Sequence, residues 1–245
     1  MTDHLATLIK LALEEDVGSG DITTAATVDP DLRGSAVLRA KSPLVVAGLQ
    51  PAREVFSAVD DDLVWISHIH EGDRVDAGTT LATISGRLAS ILTAERVALN
   101  FLQKLSGIAT LTRRFVDAVR GTEVQILDTR KTTPGWRTLE KKAVTAGGGL
   151  NHRLGLFDRY LIKNNHIAAA GGLRPALHLV KKIKHPDLQI EVEAHSVQDA
   201  IIAAREGVDI IILDNFSVED VREAVKLVKS GGAPCLEVSR SGRER

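Results

Sequence analysis

Cysteine is almost absent from this 245-residue sequence. Cys235 stands alone, which excludes an internal disulfide framework and a cysteine-rich zinc site. Its place in an apolar run reads as a buried small hydrophobe rather than a nucleophile. Aromatic residues make up only 3%, so a core has to be assembled mainly from Leu, Ile, Val and Ala. No apolar run is long enough to span a bilayer, and the first residues lack the charged segment and apolar stretch of an export signal. A net charge of −1 gives no reason to expect nucleic acid or an anionic membrane as the main partner. These absences lead to the expectation of a soluble chain in a reducing, cytoplasmic setting.

What is present is ordinary in bulk and uneven in detail. Hydrophobic residues at 44% and charged residues at 26% suit a globular protein, and the length suits two unequal domains. Between Asp128 and His166, eight Lys and Arg (Arg130, Lys131, Arg137, Lys141, Lys142, Arg153, Arg159, Lys163) face three acids, a surplus of five positive charges. From Asp187 to Glu223, ten acids face only Arg205 and Arg222, a surplus of eight negative charges. Two differently decorated solvent faces would give the same counts.

The rhythm changes along the chain. Leu5 to Glu14 carries a short amphipathic helix pattern, followed by a polar, Gly-rich loop over Asp16–Thr24. Short strand patterns at Ser35–Ala40, Leu44–Ala47, Leu63–Ile66 and Leu81–Ile84 are separated by turn signals and interrupted by a helical pattern over Pro51–Val59. A long helical pattern runs over Thr93–Val119, weakened near Ser106-Gly107. Strand-like runs then begin at Val124, Tyr160, Leu188, Val208 and Pro234, with helical patterns over Leu173–Ile183, Val197–Glu206 and Val218–Val228. Such alternation predicts βα units and a parallel sheet or barrel, with chemistry at the C-terminal strand ends.

Each of those runs leads into polar groups: Asp128-Thr-Arg130-Lys131, Lys163-Asn164-Asn165-His166, Glu193 and His195, Asp214-Asn215, and Ser239. Any one is also a good helix cap. Five in succession point to a site. Arg130, Lys131, His152, Arg153 and Lys163 suit an anionic ligand, because guanidinium forks match carboxylate and phosphate while lysine supplies a point charge. Arg137, Lys141, Lys142 and Arg159 read equally well as a solvated face. Glu191 and Glu193 lie two apart on a strand and so share a face. Glu193 and Asp214 supply the hard oxygens that suit Mg²⁺ in a pyrophosphate complex. Gly147-Gly148-Gly149 permits close approach to a ligand and unusual dihedrals, without matching a P-loop or dinucleotide fingerprint.

Taken together, several segments resemble one family. Asp128-Thr-Arg-Lys-Thr-Thr-Pro-Gly135, Glu140-Lys-Lys-Ala-Val144, Gly148-Gly-Leu-Asn-His-Arg-Leu-Gly-Leu156, Leu161-Ile-Lys-Asn-Asn-His-Ile167, Glu191-Val-Glu-Ala194 and Leu213-Asp-Asn-Phe216 are similar to quinolinate phosphoribosyltransferases. So are Glu15-Asp-Val-Gly-Ser-Gly-Asp-Ile-Thr-Thr24 and Thr93-Ala-Glu-Arg-Val-Ala-Leu-Asn-Phe-Leu-Gln103. The resemblance implies an α/β fold, with an N-terminal α/β sandwich over residues 1–119 and an open α/β barrel over 120–245. It implies transfer from phosphoribosyl pyrophosphate to quinolinate with Mg²⁺ and loss of pyrophosphate and CO₂, within NAD biosynthesis. It also implies a homodimer in which Arg96 serves the site of a second copy. Arg130, Lys131, His152, Arg153, Lys163 and Ser239 would bind the substrates' carboxylates and phosphates. Lys131, Glu193 and Asp214 would be the catalytic set, and Glu193 and Asp214 would face the ribose and the metal.

After its Leu-Glu-(Ala/Val)-Ser segment the family continues with a glycine pair and further strands, whereas Leu236-Glu-Val-Ser239 is followed by Arg240–Arg245 and the sequence stops. The expectation is therefore a truncated barrel with a polar, frayed tail. An inactive barrel kept as a binding or regulatory partner, or a paralogue using another acidic ring, is the alternative. Ile69–Leu81 is similar to a biotinyl- or lipoyl-type sandwich, but no Lys lies between Lys41 and Lys104 to carry a cofactor.

Overall fold

Leu5, Leu8, Ile9, Ala12 and Leu13 recur at helical spacing and form the inward face of α1 (Thr2–Val17). The computed structural model describes residues 2–230 and 236–239. The chain divides into two compact units, Met1–Leu154 and Gly155–Arg245.

In the first unit, the polar stretch after α1 is shorter than the sequence pattern suggests. The chain forms α2 (Ile22–Thr27), because the Asp21 carboxylate accepts from the Thr24 amide at 2.9 Å and the Thr24 hydroxyl at 2.5 Å. Then follow β1 (Arg33–Arg39), β2 (Leu44–Val45), α3 (Leu49–Val59), β3 (Val64–Ser67), β4 (Arg74–Val75) and β5 (Thr80–Arg87). β5 lies between β1 and β3 in an antiparallel sheet, and β2 pairs with β4 in another. Alternation along β1 turns Ala36 and Leu38 to the core and Ser35 and Val37 outward.

The long helix α4 (Leu88–Ala118) runs through Ser106-Gly107 without a break. Ser106 is buried there, and its hydroxyl accepts from Ala47 N at 3.1 Å and donates to Ala47 O at 3.0 Å. The polar residue that interrupts the apolar stripe is thus satisfied by the segment packed on it.

One ion pair ties the end of α3 to the start of α4. Asp60, the C-cap of α3, accepts from Arg87 Nε at 2.7 Å and Nη2 at 2.6 Å, and its side chain is 3% exposed. The Arg87 hydrogen bonds, with a further one from Ser90, hold the Asp60 carboxyl well below the usual carboxylate range. A carboxylate depressed in this way contributes stability that is complete above its unfolded value of about 4 and is lost as pH falls below it. The melting temperature of the wild-type chain is therefore expected to exceed that of Asp60→Asn at pH 7, with the gap narrowing steadily as pH drops from about 4. Parallel curves at all pH values would contradict this.

Val124–Leu127, which the sequence suggests as a strand, makes only an isolated parallel bridge, Leu127 to Leu150. Its partner segment is short because it emerges directly from a helix the periodicity did not signal, α5 (Arg137–Ala146). Leu139 and Ala143, four apart, bury one side of α5 in the same core as α4. Trp136, just before α5, stacks on Phe101 of α4 with centroids 4.6 Å apart.

The glycine run after α5 serves packing. A Cβ at Gly147 would lie 2.5 Å from Ala109 O and 2.6 Å from Thr112 Cβ, and one at Gly149 would lie 2.8 Å from Val144 Cγ1. Gly148, at φ +90°, occupies the left-handed region between them.

The second unit repeats strand and helix: β6 (Tyr160–Ile162), α6 (Asn164–Ala169), α7 (Leu173–Ile183), β7 (Ile190–Ala194), α8 (Val197–Arg205), β8 (Ile210–Asp214), α9 (Val218–Ser230) and β9 (Leu236–Ser239). The strands run parallel in the order β6-β7-β8-β9, an open α/β sheet of the expected kind. Ile162, Ile190, Val192, Ala194, Ile211 and Leu213 turn to one face and pack with Leu177, Ala200, Ala203 and Ala224 of the helices. The other face is left for Leu161, Glu191, Glu193, Ile210, Ile212 and Asp214. Cys235, the side chain of Ser239 and the tail Arg240–Arg245 lie outside the described residues.

Candidate active site

The candidate residues are carried in two groups, one by each unit. In the first unit, Asp128 closes the short segment bridged to Leu150, and Arg130 and Lys131 sit in the loop that follows. His152 and Arg153 come two and three residues after Leu150. The bridge, with Asp128 N donating to Leu150 O at 3.1 Å and Leu150 N to Ile126 O at 2.8 Å, sets these two stretches side by side.

Around them the loop is held at several points. Lys131 N donates to Thr129 Oγ1 at 3.0 Å, Lys104 Nζ donates to Thr133 Oγ1 at 3.1 Å, and His4 Nε2 bonds Gly135 O at 2.8 Å. Arg137 reaches Thr132 Oγ1 at 3.1 Å and Leu154 O at 3.0 Å, so this arginine braces the loop. The Lys131 side chain projects from an exposed position, and Arg153 is buried. Arg130 is half-buried, and its Nε is buried with no hydrogen-bond partner among the described residues. The rest of the guanidinium keeps the charge and planar fork that suit an anionic acceptor. Arg96 lies exposed on α4.

Lys141 belongs to this group rather than to a solvated face. Its ammonium pairs with the Asp128 carboxylate and donates to His152 O at 3.0 Å, with the two side chains only 4% and 6% exposed. No local signal marks it, since a lysine on an amphipathic turn reads as surface until its tertiary partner is known.

In the second unit, the parallel register puts Lys163, Glu193, Asp214 and position 239 at the C-terminal edges of neighbouring strands. Lys163 follows β6 and caps α6. Its amide donates to His166 Nδ1 at 3.0 Å, so the His166 ring accepts there and carries its proton on Nε2. The Lys163 ammonium pairs with Glu193 Oε2, and His195 Nε2 stands 3.8 Å from Glu193 Oε1. Glu191, fully buried, lies 3.7 Å from Arg159 Nη1. Asp214 ends β8 and accepts from the Asn215 side-chain amide at 2.9 Å. Asn215 has φ 61°, the one non-glycine residue described in the left-handed region, directly beside the carboxylate.

This edge therefore offers two carboxylates from adjacent strands on one sheet face, with a cation against one of them. Among the described residues, no group of three or more His, Cys, Asp or Glu gathers as a protein cage for a metal. Two oxygen donors suit Mg²⁺, which keeps waters and binds largely through substrate phosphates.

Comparison with known proteins gives this arrangement a context. A model of the N-terminal domain of quinolinate phosphoribosyl transferase matches residues 21–106, and the model of its C-terminal domain matches residues 108–243. The chain belongs to the quinolinate phosphoribosyltransferase family. A probable nicotinate-nucleotide pyrophosphorylase [carboxylating] of Synechocystis is 42% identical over 230 residues, covering 94% of this chain and 77% of that protein. The Mycobacterium leprae nicotinate-nucleotide pyrophosphorylase [carboxylating] is 42% identical over 241 residues, covering 94% and 84%. The crystal structure of NadC from Streptococcus pyogenes superposes with a TM-score of 0.91 at 39% identity, covering 100% of this chain and 85% of that one. The two domain models of the family meet within α4, and the mixed α/β architecture of the chain is that of the family's solved structures.

Proposed function

We propose that this chain is a phosphoribosyltransferase that joins quinolinate to phosphoribosyl pyrophosphate, releases pyrophosphate and CO₂, and leaves nicotinate mononucleotide for NAD biosynthesis. Membership of the family over both domains carries the reading. The half-buried Arg130, with an unmet Nε, supports it from this chain's own chemistry.

Quinolinate is a dianion and phosphoribosyl pyrophosphate carries more charge still. Arg130, Lys131, His152, Arg153 and Lys163 bind and orient these anions, and Ser239 belongs to the same substrate set. As pyrophosphate leaves, positive charge develops on the ribose. The carboxylates of Glu193 and Asp214 stabilise that charge while the pyridine nitrogen forms its bond to C1′. The ring then carries a positive charge and accepts the electron pair released when the 2-carboxylate leaves as CO₂, after which C2 takes up a proton. Lys163, paired with Glu193, holds that carboxylate in place. Mg²⁺ held by Glu193 and Asp214, directly or through water, would neutralise charge on the departing pyrophosphate. Holding both reactants in line converts an encounter of two highly charged molecules into a reaction within one complex.

The working form is a homodimer in which Arg96, exposed on α4, extends the anion-binding set of a second copy. A cytoplasmic, reducing compartment suits a chain with one cysteine. Among the described residues no helix is long and apolar enough to cross a membrane.

Titration calorimetry tests the substrate class. Quinolinate is expected to bind, whereas nicotinate, which lacks the 2-carboxylate, binds at least about tenfold more weakly, because a cation set built for two carboxylates is left half-met. Equal affinity for the two acids would point to a paralogue acting on another ring.

A further inference from the structure

We propose that Asp128 and Lys141, a buried ion pair outside the substrate-binding set, are positioning residues that clamp the backbone of His152 and so fix the quinolinate-binding cations. The proposal rests on the functional reading above for the ligand, and on the geometry alone for the clamp.

Both polar atoms of the His152 backbone are held by this pair. Asp128 Oδ1 accepts from His152 N at 2.8 Å, and Lys141 Nζ donates to His152 O at 3.0 Å. With its amide nitrogen as donor, Asn151 adds bonds to Asp128 Oδ2 at 2.6 Å and to Lys141 O at 3.0 Å. Asp128 N, in turn, donates to Leu150 O at 3.1 Å. Residues 150–152 are thus fastened to position 128, two residues before Arg130 on one side and one residue before Arg153 on the other.

A plain structural role explains less. An ion pair with both side chains this buried carries a desolvation cost, and two apolar residues of similar volume would hold α5 to the same segment without it. What apolar residues cannot do is bond the N–H and C=O of His152. The pair is neutral overall, so it fixes the two segments that carry the cations without adding charge to this strongly basic stretch. A small displacement of such cations has a large effect on binding, because carboxylate recognition depends on distance and direction.

The test uses the full chain with Asp128→Asn, Lys141→Met and the double variant. Lys141→Met alone strands a buried carboxylate and is expected to melt early. The double variant removes both charges and is expected to keep a cooperative fold. In it, the KM for quinolinate should rise about tenfold to hundredfold while kcat changes little. Amide hydrogen exchange should rise within residues 148–156 and stay unchanged elsewhere. Wild-type KM in the folded double variant would overturn the proposal, as would loss of cooperative melting, which would make the pair a determinant of the fold. If the wild-type chain turns over no quinolinate, the functional reading fails separately. The clamp is then decided by exchange alone: a rise confined to residues 148–156 supports it, and unchanged protection there overturns it.

Discussion

Replacing Arg130 with Ala is expected to raise the KM for quinolinate about a hundredfold to a thousandfold, with a much smaller change in kcat. The guanidinium is half-buried and its Nε has no hydrogen-bond partner among the described residues, so the free protein gains nothing from this N–H. A carboxylate that meets this guanidinium gains a charge-assisted hydrogen bond, and truncation removes the donors altogether. The loss falls on binding because the same carboxylate contact is present before and during reaction. Arg130→Lys is expected to recover only part of the affinity, since an ammonium supplies charge without the planar fork. Steady-state rates with quinolinate varied at saturating phosphoribosyl pyrophosphate read both numbers. An unchanged KM in the alanine variant would remove Arg130 from the site.

Glu193→Gln should show the opposite pattern, a kcat lower by about a hundredfold to a thousandfold at a nearly unchanged KM for quinolinate. Glu193 lies on the polar face of β7 with its side chain 13% exposed, paired with Lys163. Glutamine preserves its shape and can still accept from the Lys163 ammonium, so the sheet edge should stand. What disappears is a fixed negative charge beside the ribose, and it matters when positive charge develops there. The melting temperature is expected to shift little. A variant that melts like wild type and keeps wild-type kcat would show that Glu193 has no part in stabilising the reacting sugar.

The second half of the fold was the more legible in sequence. β6, β7 and β8 fall on the runs around Tyr160, Leu188 and Val208, because strands buried on a parallel sheet read as continuous apolar stretches. Glu191 and Glu193 stand out within such a run, since two acids in a buried strand have to face something other than the core. Period 2 placed them on one side, where the structure has them with Asp214. The first half was harder. Val124–Leu127 has strand composition but only one residue to bridge with, and strand formation depends on a partner that composition does not reveal. α5 was missed because only Leu139 and Ala143 turn inward, and its buried lysine breaks the expected pattern. Gly147–Gly149 illustrates the same limit, for the glycines answer to Ala109 and Thr112 of α4, almost forty residues earlier. The candidate cations could be named from residue type and motif. The Asp128–Lys141 pair that holds two of their segments together could not, because its meaning lies in a tertiary contact.

The most direct measurement of the central claim is a product balance. The purified chain is incubated with quinolinate labelled in its 2-carboxylate, phosphoribosyl pyrophosphate and Mg²⁺, and nicotinate mononucleotide, pyrophosphate and labelled CO₂ are measured together. The account predicts that all three appear in equal amounts and that none forms when either substrate is omitted. A folded chain that binds both substrates and yields no nucleotide, or one that yields nucleotide without CO₂, would contradict it.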